Sequence, residues 1–381
     1  MSVLAKVLSA LMAFLLSGSN IVNSGGKAVL EYDKYTREAY MTPVWEGDTV
    51  YNETLMFVAD KNGNVPPAPL LYTPTEVLSV RSFDLKTEYT PGVDYTVENG
   101  CIMLTENSRI YKWSYLDYYP AAAIPGRTFD KTGGGFLSFG EGDTYYKTQV
   151  AVTYRHADTW KGIIPRYKGD VLKNTVAKLE NGEKLTIVYY GDSITTGANS
   201  SNLNAPYAPI WTQLVTQTLA AKFNDPNITE INTAVGGTNA AWGADNVKDR
   251  VIAYNPDLVV IAFGMNDAKT CKFKYGYEIG KIIREVRKAN KNAEFILVSP
   301  MHPNKEANGF YGNQKQFERV LNKIAGFRSG VAVAPVWSMH SAILEHKRYY
   351  DMTGNNVNHP NDFMARIYAQ TVAALLLEGV K

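Results

Sequence analysis

Leu185-Thr186-Ile187-Val188-Tyr189-Tyr190-Gly191-Asp192-Ser193-Ile194 reads as a short apolar strand broken by a Gly-Asp-Ser turn. A run of this kind, without polar alternation, suits a strand buried on both faces, as in a parallel sheet. Toward the C terminus, similar apolar runs recur at Ile228–Val235, Leu258–Phe263, Phe295–Ser299 and Val331–Val336. Between them the spacing turns helical. Ile210, Trp211, Leu214, Val215, Thr218 and Leu219 repeat every three to four residues, and Ile279–Ala289, Phe317–Ala325 and Phe363–Leu377 follow the same pattern. Strands alternating with helices predict an α/β region, a three-layer α/β/α arrangement around a five-stranded parallel sheet.

Upstream, from about Lys27 to Arg166, the pattern is that of β structure. Val50–Tyr51, Glu76–Asp84, Asp94–Val97, Cys101–Leu104 and Thr148–Tyr154 are rich in Val, Tyr, Thr and Ile. Turn signals punctuate them at Asn62-Gly63, Pro91-Gly92, Asn99-Gly100 and Gly133–Gly135. Tyr95-Thr96-Val97 and Ile102-Met103-Leu104 flank Asn99-Gly100 as a hairpin suited to a type I′ turn. The expected organisation is a β-sandwich domain over 27–168 and an α/β domain over 169–381, meeting near Tyr167–Asn174. Residues 1–26 stand apart. Val7–Leu16 is a run of apolar and small residues that follows Lys6 and precedes Ser17-Gly18-Ser19, which resembles a secretory signal peptide cut after Ser19. It is too short to span a bilayer, which takes about 20 apolar residues. The alternative is a retained N-terminal helix. The first reading makes the protein secreted and the second leaves it cytoplasmic.

Composition narrows the functional classes. The 381 residues are 45% hydrophobic and 20% charged, with a formal net charge of +2. That balance gives no electrostatic case for nucleic acid or an anionic membrane as partner. The two cysteines, Cys101 and Cys271, lie far apart, read as free thiols and show no metal-ligand spacing. No metal or organic cofactor is implied by any motif.

Chemistry-bearing residues fall where such a sheet collects its active site, at the carboxyl ends of the strands. Ser193 follows the strand ending at Tyr190, where a serine exposes its hydroxyl and its own N–H to the crevice. Gly236-Gly237-Thr238-Asn239 follows the second run, and glycine there lets a backbone N–H approach a ligand. Gly264-Met265-Asn266-Asp267 follows the third, with an amide able to donate to a developing oxyanion. Asn358-His359-Pro360-Asn361-Asp362 precedes the last helix. Taken singly, each is an ordinary cap, loop glycine or turn.

In order and spacing the four segments resemble the four sequence blocks of the SGNH (GDSL-type) hydrolase superfamily, over Leu185 to the C terminus, about half the chain. The resemblance implies a flavodoxin-like SGNH fold and a serine esterase. By it, Ser193 is the nucleophile, His359 the general base, and the Ser193 N–H, Gly237 N–H and Asn266 amide the oxyanion hole. One departure stands out: the family's aspartate three residues before the histidine is Asn356 here. Asp351 and Asp362 are replacement acids within reach in sequence. The favoured alternative is a Ser–His dyad whose ring is held by a neutral amide or carbonyl. His302-Pro303 is a second His-Pro pair that precedes no terminal helix.

A β-sandwich joined to such a hydrolase is similar to secreted carbohydrate esterases. This implies removal of short acyl groups, acetyl above all, from a small-molecule or polysaccharide ester. The competing expectations are a lipid-acting esterase or lysophospholipase, and a non-catalytic carbohydrate-binding protein. The polar segment Thr195–Asn204 speaks against the lipid reading.

Overall fold

Leu185–Gly191 is buried at every position and pairs on both edges, as a central strand must. In the computed structural model, which describes residues 32–201, 208–224 and 227–378, it is the eleventh strand. The segment read as a signal peptide or N-terminal helix lies outside the described residues, as does part of Thr195–Asn204.

The first ten strands are β1 (Thr49–Leu55), β2 (Phe57–Val58), β3 (Ala68–Pro69), β4 (Pro74–Ser82), β5 (Tyr95–Glu98), β6 (Cys101–Leu104), β7 (Lys112–Trp113), β8 (Thr128–Asp130), β9 (Phe136–Ser138) and β10 (Val150–His156). This region is β-rich. Among its described residues the helices α1 (Arg37–Met41) and α2 (Tyr115–Tyr118) span only five and four residues. Antiparallel β1-β10-β4 is accompanied by β3-β6-β5 and the pairs β2-β7 and β8-β9. The β5–β6 hairpin turns through Asn99 and Gly100 with φ of 51° and 78°, the doubly left-handed geometry of a type I′ turn.

The second half holds β11 (Leu185–Gly191), β12 (Ile228–Asn232), β13 (Leu258–Ala262), β14 (Glu294–Val298) and β15 (Val331–Ala334). They form one parallel sheet in the order β12-β11-β13-β14-β15. Its helices are α3 (Lys173–Asn181), α4 (Trp211–Lys222), α5 (Ala240–Arg250), α6 (Lys272–Ala289), α7 (Phe317–Gly326), α8 (Val336–Ile343) and α9 (Asp362–Ala373). The two-residue period of a strand sends alternate side chains to opposite faces. Ile187 and Tyr189 pack with Leu179, Trp211, Met339 and Ile367 on one side. Val188 and Tyr190 pack with Ala244, Ile279, Ile282 and Leu321 on the other. Three layers result, with α3, α4, α8 and α9 on one face and α5, α6 and α7 on the opposite one.

Two local readings change. The second apolar run is regular strand only to Asn232, although the Thr233 and Val235 N–H groups still donate to the Tyr189 and Gly191 carbonyls at 3.0 and 3.1 Å. After Ser193 the backbone makes successive turns, with Ala198 N–H on Ser193 O at 3.1 Å, rather than entering a helix.

The first face does not stop at the sheet. Val50, Leu55, Val80, Val152 and Tyr154 of the β-rich region belong to the same buried cluster as Trp211, Phe363 and Ile367. Helix α9 is covered on every side. Its polar residues bond the N-terminal chain: Gln370 Nε2 donates to Tyr40 O at 2.7 Å and Thr42 O at 2.9 Å, and Arg366 Nη1 donates to Tyr51 O. Cys101 and Cys271 are free thiols, as their separation implies. Among the described residues no helix is long and apolar enough to cross a membrane.

Candidate active site

Strand β11 delivers Ser193 to the carboxyl edge of the sheet, and the loop before α9 delivers His359 to the same point. Ser193 Oγ lies 2.7 Å from His359 Nε2. The histidine loop owes its shape to Asn355, whose Oδ1 accepts the N–H groups of Val357, Asn358 and His359, each at 3.0 Å. One buried amide oxygen thus satisfies three donors that a tight loop would otherwise strand. Gly354 permits the loop to lie against the turn after the serine. A Cβ there would meet Asn199 O at 2.4 Å.

That contact matters because Asn199 holds the ring. Its Nδ2 donates to Gly142 O at 3.0 Å, which turns Oδ1 toward His359 Nδ1 at 2.5 Å. An oxygen at Nδ1 selects the tautomer with the proton on Nδ1, leaving Nε2 free to accept the Ser193 proton. A carboxylate from the β-rich region stands beside the same nitrogen: Glu141 Oε2 is 3.5 Å from Nδ1, and Glu141 Oε1 accepts from Asn355 Nδ2 at 3.4 Å. Hydrogen bonding to the His359 ring holds the Glu141 carboxyl below its ordinary range, against its partial burial.

Asn356, Asp351 and Asp362, three residues considered as orienting groups, are engaged elsewhere. Asn356 accepts from Tyr118 Oη at 2.8 Å and donates to Ser138 O at 3.0 Å. Asp351 accepts from the Met56 N–H at 2.8 Å and from the Arg348 guanidinium at 2.9 Å. Asp362 accepts from both the backbone and the hydroxyl of Ser201. His302 stacks on Trp337 with centroids 3.6 Å apart and bonds Ser341 Oγ at 2.7 Å, and burial drives its pKa down to about 4.

The Gly236-Gly237 turn lies close to the serine. Gly237 has φ +76°, a conformation glycine adopts freely, and a Cβ on neighbouring Gly236 would sit 3.7 Å from Ser193 Cβ. Among the described residues neither the Ser193 nor the Gly237 N–H has an acceptor. Asn266 anchors one amide hydrogen on Thr238 O at 2.9 Å, next to Gly237, leaving its second hydrogen for another acceptor. Beneath them Asp192 accepts the Ile194 N–H at 3.0 Å, and complete burial, with the nearby Asp267 charge adding to it, pushes its pKa up to about 7. Among the described residues no group of three or more His, Cys, Asp or Glu side chains is arranged to hold a metal ion.

Residues 189–367 match the model of the GDSL-like lipase/acylhydrolase family. The C-terminal body carries a GDSL-like lipase/acylhydrolase domain. The matched stretch of this GDSL-like domain includes Ser193, Gly237, Asn266 and His359, whereas Glu141 lies before it. No curated protein matches the chain. Among solved structures, the chain is similar to a two-domain esterase active on acetylated mannans (23% identity, TM-score 0.45, covering 56% of this chain and 54% of that one). It is also similar to a mutant of an acetyl-xylooligosaccharide esterase from Geobacillus stearothermophilus (19%, 0.44, 52% and 96%). A third is a putative GDSL-like lipase from Parabacteroides merdae (17%, 0.40, 52% and 97%). The match thus spans about half the length of the two-domain esterase.

Sequence reasoning did not single out Asn199, Glu141 or Asn355. Asn199 sits at φ +63° within a turn, a position asparagine tolerates better than most residues. An asparagine soon after a Gly-Asp-Ser turn was the available signal. For Glu141 there was none.

Proposed function

We propose that the protein is a serine carboxylic-ester hydrolase that removes short acyl groups, acetyl above all, from a carbohydrate. The carrying observation is the 2.7 Å contact between Ser193 Oγ and His359 Nε2, with Nδ1 already occupied by Asn199. In this reading Nε2 takes the hydroxyl proton as Oγ attacks the ester carbonyl. The tetrahedral oxyanion is met by the N–H groups of Ser193 and Gly237 and by the Asn266 amide, each such donor worth about 3 kcal/mol of barrier. Protonated Nε2 returns its proton to the departing alkoxide, leaving an acyl-enzyme. Water, deprotonated by the same nitrogen, attacks that ester and releases the carboxylic acid.

The side chains that meet the His359 ring beside Ser193 are polar, namely Asn199 and Glu141. They suit a hydroxyl-rich alcohol better than a lipid chain.

Purified protein is assayed on nitrophenyl acetate, butyrate and octanoate and on acetylated oligosaccharides. The expected result is a steep fall in kcat/KM from acetate to octanoate, with acetate released from the oligosaccharides. Preference for octanoate moves the assignment to a lipid-acting esterase. Folded protein that hydrolyses none of these esters, yet binds oligosaccharides, points to a non-catalytic carbohydrate-binding protein.

A further inference from the structure

His359 works beside an amide where a charged partner is usual for a catalytic histidine. As Nε2 takes the serine proton the ring becomes a cation, and Asn199 offers Nδ1–H a dipole but no counter-charge. We propose that Glu141, contributed by the β-rich region, is the positioning residue that supplies this counter-charge. The inference rests on the esterase reading of the dyad.

Three observations carry it. Among the described residues Glu141 is the one acidic side chain within 4 Å of a ring nitrogen of His359. Its approach is guided from both sides, since its other oxygen accepts from Asn355, the residue that shapes the histidine loop. Its own loop is tied to the ring-holding amide, because the carbonyl of Gly142 is what Asn199 Nδ2 bonds. Facing the ring elsewhere are the neutral Ser193 hydroxyl and the neutral amide of Asn199, while the Asn355 amide oxygen accepts the His359 backbone N–H. The proton balance is simple: the serine proton moves to Nε2, the Nδ1 proton stays on nitrogen, and Glu141 stays ionised throughout.

The Glu141 side chain is 57% exposed, so water screens the pair. At 3.5 Å in a water-like medium, one unit charge on another is worth about a tenfold change in an equilibrium or rate.

The experiment compares wild type with Glu141→Gln, which keeps shape and removes charge, using two readouts. On an acetyl ester, Glu141→Gln is expected to lower kcat/KM about tenfold through kcat, and to move the acid limb of its pH profile to lower pH. In full-length Ser193→Ala protein, NMR of the His359 ring nitrogens, assigned by loss of the signals in His359→Ala, reads the ring without any turnover. There, adding Glu141→Gln is expected to lower the titration midpoint by about one pH unit. An unchanged midpoint overturns the proposal whatever the activity. If wild type hydrolyses no ester but the midpoint still falls, the esterase reading fails while the charge coupling between Glu141 and His359 stands.

Discussion

Ser193→Ala is expected to remove ester hydrolysis by roughly ten-thousandfold or more while leaving the fold unchanged. The deletion is a single hydroxyl that bonds His359 Nε2, so neither the core nor the loop network loses a contact. Asn355 still holds the histidine loop and Asn199 still holds the ring. His359→Ala is expected to cost a similar factor, because without a base the hydroxyl is a poor nucleophile. The double variant is expected to be little worse than either single one, since the two groups act as a unit. Asn266→Ala, which removes one of three oxyanion donors, is expected to cost only about a hundredfold. Kinetics on one acetyl ester, with circular dichroism as the folding control, reads all four. Near wild-type turnover in Ser193→Ala would falsify the site.

The largest expected effect on stability lies away from the chemistry. Lys347 follows α8, and its Nζ meets Glu53 Oε1 of β1 at 2.5 Å and Thr54 O at 3.0 Å, with both charged side chains fully buried. Glu53 also accepts from the Leu71 N–H at 2.9 Å and Tyr154 Oη at 2.7 Å. The carboxylate thus accepts three hydrogen bonds and the ammonium donates two, all inside the protein. Removing one partner leaves the other charged and dry, a loss of about 3–5 kcal/mol, against a total stability of only about 5–15 kcal/mol. Lys347→Ala is accordingly expected to lower the urea midpoint sharply. Lys347→Met combined with Glu53→Gln is expected to recover much of the loss, because no charge is then stranded. A drop of under about 1 kcal/mol in Lys347→Ala would show that water reaches the pair.

How far this molecule was legible from its residues depended on distance along the chain. Apolar runs such as Leu258–Phe263 and Phe295–Ser299 appear as strands to within a residue or so of their ends, since burial on both faces leaves a continuous signature. The β5–β6 hairpin was legible from four residues because a type I′ turn demands Asn-Gly or its kin. Helix α5 was not, because Gly243, Asp245 and Asn246 dilute both its periodicity and its propensity. Ser193, Gly237, Asn266 and His359 were visible because each follows or precedes a regular element at a recognisable offset. Their partners were not. The amide that meets His359 Nδ1 is that of Asn199, 160 positions away, whereas Asn356 bonds Tyr118 and Ser138. Glu141 approaches from a separate sheet system, and no spacing in a sequence encodes that meeting.

Helix α9 carries a consequence for anyone wishing to cut this protein into parts. The outermost helix of a layered fold ordinarily turns a wet, charged flank to solvent, yet α9 has no such flank. A fragment beginning near Gly169 would strip cover from Arg366 and Gln370, whose acceptors would have stayed on the discarded piece. Solubility of the C-terminal half is therefore borrowed from the other half. Truncation libraries, domain grafts and protease maps of this chain should treat Tyr40–Tyr51 as belonging to α9, however early in translation that stretch emerges.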